Sequence, residues 1–373
     1  MRPWHFEATD VNQYYTSVCN TLMTEGIETS PRGQRTKELH PTTAFIEDPR
    51  RRIVSCYGRV INLPFALVEV IQLITGQNDA QALKFYNSKI IEIQGDSPDA
   101  FRFNAAYGER LRRYYVGANL SQTGVAIDQL EHVIQTLKND HDSRQASIVL
   151  SHPGDDNYTV QTKDRACNVY AHAMIRDNKL DWMQIIRSND AVWGIPYNMM
   201  QWSHVQEWVA ASLDIQVGSM FIVQDSFHVY EDKYDECSAV EHFDMYQYQE
   251  IVPLRMEASR MVSDEIHIAE RNVRMGMEYD TKAFRLLEDS VGPYWRTVIA
   301  ALQSYRQFKR GHDEEALRLL PEYSELRLPM MRNFCYWRWG RNTKYEDLVK
   351  AVALELSSYG IPDMEIVKWL GIE

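Results

Sequence analysis

The sequence predicts an α+β fold whose last third is helical, and two observations carry that expectation. Up to about residue 255, apolar residues at helical spacing alternate with β-rich, period-two runs. From about residue 265 onward only helical spacing remains. The expected division is a mixed body over residues 1–260 and a helical extension over 261–373. With 373 residues, 45% of them hydrophobic, the chain can bury a substantial core.

Residues 10–26 read as an opening amphipathic helix, and Ser30-Pro31-Arg32-Gly33-Gln34-Arg35-Thr36 as a turn-rich basic loop. Pro64 to Ile74 sets Phe65, Leu67, Val68, Ile71 and Leu73 at helical spacing and stops before Gly76, as a helix would. Ile127 to Leu137 repeats the helical pattern. Ala146–Ser151, Cys167–Ile175 and Leu180–Ile186 read as strands, and Asp177-Asn178 between the last two predicts a hairpin. Pro196–Leu213 returns to helix, and Ser219–Tyr230 to strand. In the extension, helices are expected over 264–290, 294–309, 314–320, 344–357 and 363–370.

The net charge of −12 argues against non-specific nucleic-acid binding, which needs a basic face, but leaves room for a cationic pocket around one phosphate. Five scattered cysteines without a C-x-x-C suit a reducing cytosol and offer no zinc framework. The opening residues Met-Arg-Pro-Trp-His-Phe-Glu hold no apolar leader, and no run of about 18 apolar residues follows. The expectation is a cytoplasmic protein without a membrane span, a metal or a nucleic-acid partner.

One run carries the chemistry. Arg187-Ser188-Asn189-Asp190-Ala-Val-Trp-Gly194-Ile-Pro196-Tyr197-Asn198 begins 20 residues after Cys167, and His228-Val-Tyr230 follows. A cysteine alone in a strand is usually inert, and an arginine alone usually sits in a surface ion pair. Together these residues supply a thiol, a cation, a hydroxyl, a carboxylate, a carboxamide, an imidazole and a phenol. The order resembles the thymidylate synthase family, whose run is R-S-x-D-x-x-x-G-x-P-[FY]-N followed by H-x-Y, and every fixed letter is present. Leu67-Val-Glu69-Val-Ile-Gln-Leu-Ile-Thr-Gly76 is similar to the family's E-L-x-W-x-x-x-G, and Tyr107-Gly108-Glu-Arg-Leu-Arg112 to its Y-G-x-x-W-R. The resemblance runs from about Arg32 to Tyr230.

The resemblance implies a mixed sheet flanked by helices. It also implies a one-carbon transfer from 5,10-methylenetetrahydrofolate to C5 of a pyrimidine nucleoside monophosphate resembling dUMP. Cys167 would attack C6 as a thiolate, because the neutral thiol is a poor donor. Arg187 and Ser188 would hold the phosphate, joined by Arg35 from the basic loop and by Arg144 from the facing subunit of a homodimer. Asn198 would pair with N3–H and O4 of uracil, since a carboxamide presents both a donor and an acceptor; aspartate is expected there for cytosine. His228 and Tyr230 would hold the sugar 3′-hydroxyl, Asp190 the pterin. Glu69 would organise proton transfer at C4 and C5, and Tyr107 would help remove the C5 proton.

Five departures from the family pattern stand out. Asn168 follows the nucleophile where histidine is expected, and Gln145 replaces the second of two tandem arginines. Ile91 and Gln94 stand where two tryptophans are expected, and Lys37-Glu-Leu-His40 replaces a glycine- and threonine-rich stretch. The helical extension ending Trp369-Leu-Gly-Ile-Glu373 replaces a short closing tail. Methylation and hydroxymethylation share every step up to a C5 methylene, then differ in whether hydride or water reaches it. Hydride transfer needs a dry, closed pocket. Losing the indoles and the tail admits water, so hydroxymethylation is the leading expectation, unless Trp337, Trp339 or Trp369 refills the pocket. Thymidylate synthesis is the alternative, and a nucleotide-binding pseudo-enzyme of the same fold a further one.

Overall fold

The computed structural model describes residues 3–90, 92, 101–114, 126–154, 156, 164–247, 254–322, 324–338 and 346–371. Among the described residues, ten strands form two sheets. They are β1 Trp4–Ala8, β2 Ile27–Thr29, β3 Thr36–Leu39, β4 Thr42–Ile46, β5 Ser147–Val149, β6 Asn168–Arg176, β7 Lys179–Ile186, β8 Asn189–Asp190, β9 Gln216–Gln224 and β10 Phe227–Tyr230. The large sheet runs β1-β4-β9-β7-β6-β5 and is mixed: β1 lies parallel to β4 and β7 parallel to β9, while the other pairs are antiparallel. The small sheet runs β2-β3-β10-β8.

The helices of the body are α1 Val11–Glu25, α2 Leu63–Thr75, α3 Ala80–Tyr86, α4 Tyr107–Arg112, α5 Gln129–Asn139, α6 Ile195–Ser212 and α7 Tyr234–Ser238. Asp10 caps α1 by accepting from the Gln13 amide at 2.8 Å, and Asn62 caps α2 through the Phe65 amide at 3.2 Å. Gly76 ends α2 in the left-handed region, which a side chain would strain. Asp177 and Asn178, both at positive φ, turn β6 into β7 as the sequence predicts. In α2 twelve of thirteen residues are buried, and only Glu69 interrupts the pattern. It packs against α6, whose Trp202 stacks on Trp182 of β7 at 6.3 Å.

The expected strand over 219–230 is two strands in different sheets. Asp225 and Ser226 carry the chain from β9 to β10, and Asn189 N donates to Ser226 O at 2.8 Å to join the sheets there. Two runs of alternating pattern read as one because the turn between them is only two residues long.

The extension consists of α8 Arg260–Met275, α9 Thr281–Arg310, α10 Asp313–Leu319, α11 Arg327–Arg338, α12 Glu346–Ser358 and α13 Asp363–Leu370. Helix breaks differ from the expectation over 264–309. The chain stops at Gly276, in the left-handed region, and restarts after the Asp280 cap. The Gly292-Pro293 pair expected to separate helices instead kinks α9. Helix α11 has no counterpart among the expected elements, because Leu328 to Cys335 are buried on every side and leave no amphipathic period.

These helices pack on the body through specific polar contacts. Asn333 accepts from Leu63 N at 3.0 Å and donates to Ile61 O at 2.8 Å, at the start of α2. Trp369 Nε1 donates to Ser55 O at 2.7 Å. Trp337 packs on Tyr305 and Phe308 within the extension, while Trp369 packs on Phe243 and Arg332. Trp339, Ile91 and Gln94 lie outside the described residues. No helix among the described residues is long and apolar enough to cross a membrane.

Candidate active site

Cys167 stands just before β6, where the chain enters the sheet beside the end of β7. Arg187 N donates to Cys167 O at 2.9 Å, and Arg187 Nε donates to Ala166 O at 2.8 Å. The guanidinium is therefore tethered beside the thiol while its side chain stays exposed. The Tyr107 hydroxyl, from the start of α4, accepts from Cys167 N at 2.9 Å and from Asn168 N at 3.0 Å. The backbone amides of Cys167 and Asn168 thus converge on one phenol. Desolvation pushes the thiol above its ordinary range against the pull of Arg187, so Cys167 keeps its proton at neutral pH. Burial also pushes the Tyr107 phenol up to about 12, which keeps its proton on at neutral pH.

Asn198 lies in the first turn of α6, one turn after the Gly194 backbone that opens the helix. Its Oδ1 accepts from Asn168 Nδ2 at 3.0 Å, and its Nδ2 donates to Asn189 Oδ1 at 3.0 Å. The residue after Cys167 therefore touches Asn198 directly. Gly194 is required by this packing: a Cβ there would lie 2.4 Å from Asn189 Oδ1.

Glu69 faces α6 from α2. Burial, opposed by a hydrogen bond from Gln201, pushes its carboxyl up to about 8, and its Oε2 is buried without a hydrogen-bond partner among the described residues. A carboxyl that changes protonation near neutral pH is suited to moving protons.

β10 and β8 bring the remaining groups together. His228 pairs in register with Asp190, and its ring meets Tyr230 edge-on at 5.3 Å. Desolvation holds the imidazole below its ordinary range despite the nearby Asp190 carboxylate, so His228 is neutral at pH 7. Arg35 donates to Glu231 at 2.6 Å and to Glu28 at 3.3 Å, whereas Arg32 reaches the Tyr230 hydroxyl at 3.4 Å. The sequence reading did not single out Arg32, which sits beside Gly33 at a φ of 55°. Ser188 is half-buried between Arg187 and β8.

Arg144 is exposed in the loop before β5, where its carbonyl accepts from His172 at 3.2 Å. His172 lies four residues along β6 from Asn168, roughly 13 Å at the rise of a strand. The loop therefore sits along the neighbouring edge of β6, away from its own Cys167.

Asp190 offers a fit for a pterin. Its Oδ1 accepts from Val192 N at 2.7 Å and Trp193 N at 2.6 Å, while Oδ2 is buried without a partner among the described residues. Desolvation raises this carboxyl above the usual carboxylate range. An orphaned acceptor of this kind suits the ring N–H donors of a pterin. Beside it the Trp193 indole is 47% exposed, with Arg59 and Lys233 over its ring. It is an aromatic surface that the sequence reading overlooked. No group of three or more potential metal ligands occurs among the described residues.

The mixed sheet brings Cys167, Arg187 and Asn198 together around residues 166–168. The sequence model described as thymidylate synthase matches residues 13–268, and the chain belongs to that family. It is similar to the deoxyuridylate hydroxymethyltransferase of Bacillus phage SP01, with 36% identity over 230 residues, 61% of this chain and 59% of that protein. The deoxyuridylate hydroxymethyltransferase of Pseudomonas phage M6 is 30% identical over 195 residues, 52% of this chain and 51% of that protein. A thymidylate synthase of Francisella philomiragia is 25% identical over 187 residues, 47% of this chain and 64% of that protein. The chain thus spans between half and three-fifths of the length of the two phage relatives.

Proposed function

We propose that this chain transfers a one-carbon unit to C5 of dUMP and that water completes the reaction, giving a hydroxymethylated nucleotide. The observation that carries the reading is the joining of Cys167, Arg187, Tyr107 and Asn198 through the residues 166–168. A binding module has no need of a nucleophile so placed. The names of the two phage relatives favour the hydroxymethyl outcome over the methyl one.

Cys167 adds to C6 once its proton has left, with Arg187 stabilising the thiolate and, with Ser188, the substrate phosphate. Asn198 holds the uracil edge, and His228 with Tyr230 the sugar hydroxyl. Glu69 supplies and removes protons at O4 and C5, and Tyr107 assists loss of the C5 proton. Asp190 and Trp193 would hold 5,10-methylenetetrahydrofolate, which when bound would supply the carbon at the oxidation level of formaldehyde. Arg32 or Arg35 from one chain and Arg144 from the partner complete the phosphate site of a homodimer. The body over 1–260 carries this chemistry and the extension over 261–373 supports it.

Release of tritium from C5-labelled dUMP tests the reading. Wild type should release tritium in the presence of methylenetetrahydrofolate, and Cys167→Ala should release none while still binding dUMP. Substantial release by Cys167→Ala would sink the covalent mechanism.

A further inference from the structure

Five buried or half-buried amides form a single directed chain through the site. Trp182 Nε1 donates to Gln184 Oε1 at 3.1 Å, and Gln184 Nε2 donates to Asn168 Oδ1 at 3.0 Å. Asn168 Nδ2 then donates to Asn198 Oδ1, and Asn198 Nδ2 to Asn189 Oδ1, each at 3.0 Å. Asn189 Nδ2 donates to Gln224 Oε1 at 2.6 Å, and Gln224 Nε2 ends the chain on the hydroxyls of Tyr14 and Thr42 at 2.7 and 2.9 Å. The chain crosses β7, β6, α6, β8 and β9, and all its members except Asn198 are buried.

An amide can be turned end for end, but an indole N–H can only donate. Trp182 therefore fixes Gln184, and each amide fixes the next. Turning Asn198 alone would set its Nδ2 against Asn168 Nδ2 and its Oδ1 against Asn189 Oδ1, two donor–donor or acceptor–acceptor clashes in a dry setting. One hydrogen and one lone pair of Asn198 remain for a ligand. Uracil offers an acceptor at O4 and a donor at N3; cytosine offers the reverse pair. The orientation of this one carboxamide is thus the difference between matching one base and matching the other.

We propose that Asn168 is a specificity-positioning residue that, with Trp182 as the fixed donor at the head of the chain, locks the Asn198 carboxamide in the orientation matching uracil and thereby excludes cytosine nucleotides. This rests on the reading that Asn198 meets the base. Asn168 is the residue that departs from the family's histidine, and the lock runs through it. An aspartate at position 168 still accepts from Gln184 but cannot donate to Asn198, so the reader is free to turn.

The test is calorimetric binding of dUMP and of dCMP to wild type, Asn168→Asp and Trp182→Phe, with no turnover required. Wild type should prefer dUMP. The ratio of the two dissociation constants should fall by roughly 10-fold or more in Asn168→Asp, the scale of one mismatched buried hydrogen bond, and by a smaller factor in Trp182→Phe. A merely structural role would weaken both nucleotides alike and leave the ratio unchanged, which overturns the proposal. If Asn168→Asp fails to fold, Trp182→Phe keeps the aromatic volume, and an unchanged ratio there overturns it equally. A shifted ratio in a protein that releases no tritium supports the lock and sinks the catalytic reading. Wild type that binds neither nucleotide, or prefers dCMP, overturns the lock.

Discussion

Glu69 shows at the scale of one residue how the site opposes the fold. It is the one position of α2 that is not fully buried, and desolvation pushes its carboxyl up to about 8 from an ordinary value of 4.5. A raised folded value favours the protonated form, so the stability it contributes is complete below about pH 4.5 and is lost as pH rises through about 8. Glu69→Gln keeps the shape and removes the titration. We expect it to lose turnover by roughly 100-fold or more. At pH 8 it should be more stable than wild type by on the order of 1–3 kcal/mol, with little gain at pH 4.5. Urea unfolding at the two pH values reads this; a variant less stable at both would contradict the burial account. Motif spacing singles out Glu69, Cys167 and Asn198 in the sequence, and the structure joins the segment of Cys167 to Asn198 through Asn168. Gln184 and Asn189 were not legible there, because a glutamine in one strand and an asparagine in another meet only once the strands are in register. Arg32 was missed for a similar reason: its hydroxyl partner, Tyr230 of β10, lies almost two hundred residues away in the sequence.

Among the elements, those bounded by a local signal were readable. The predicted α1 and α13 fall within one residue of the observed helices, and the Asp177-Asn178 turn joins β6 to β7. Elements whose limits are set by tertiary partners were not. The step from β9 to β10 depends on which sheet each strand joins, and α11 is hidden because its neighbours bury every face. The loop before β5 carries the element-level prediction. Arg144 is exposed and separated along β6 from its own Cys167, as the proposed homodimer requires of a residue that serves the partner's site. Mixing inactive Cys167→Ala with inactive Arg144→Ala chains should restore activity, because one site of the mixed dimer then has both an intact thiol and an intact arginine. Verified mixed dimers without activity, or a monomer by light scattering, would contradict the shared site.

On the scale of the whole molecule, the extension is keyed into the body by charge as well as by apolar packing. Arg52, 2% exposed, pairs with Glu207 of α6 and lies 3.9 Å from Glu325 in the segment before α11. His204 of α6 meets the Tyr294 hydroxyl of α9 at 2.5 Å, and burial holds that imidazole neutral. Burial pushes Glu325 up to about 7, so its stabilising effect is complete below about pH 4.5 and fades as pH rises through about 7. Glu325→Gln should therefore flatten the fall in melting temperature over that interval, while an unchanged slope would show that Glu325 does not titrate in the folded protein. None of these contacts involves Cys167. The central claim concerns what leaves the site, and mass spectrometry of the nucleotide after incubation with dUMP and methylenetetrahydrofolate tests it most directly. The account predicts a product heavier than dUMP by a hydroxymethyl substitution, with tetrahydrofolate returned; thymidylate formed together with stoichiometric dihydrofolate would contradict it.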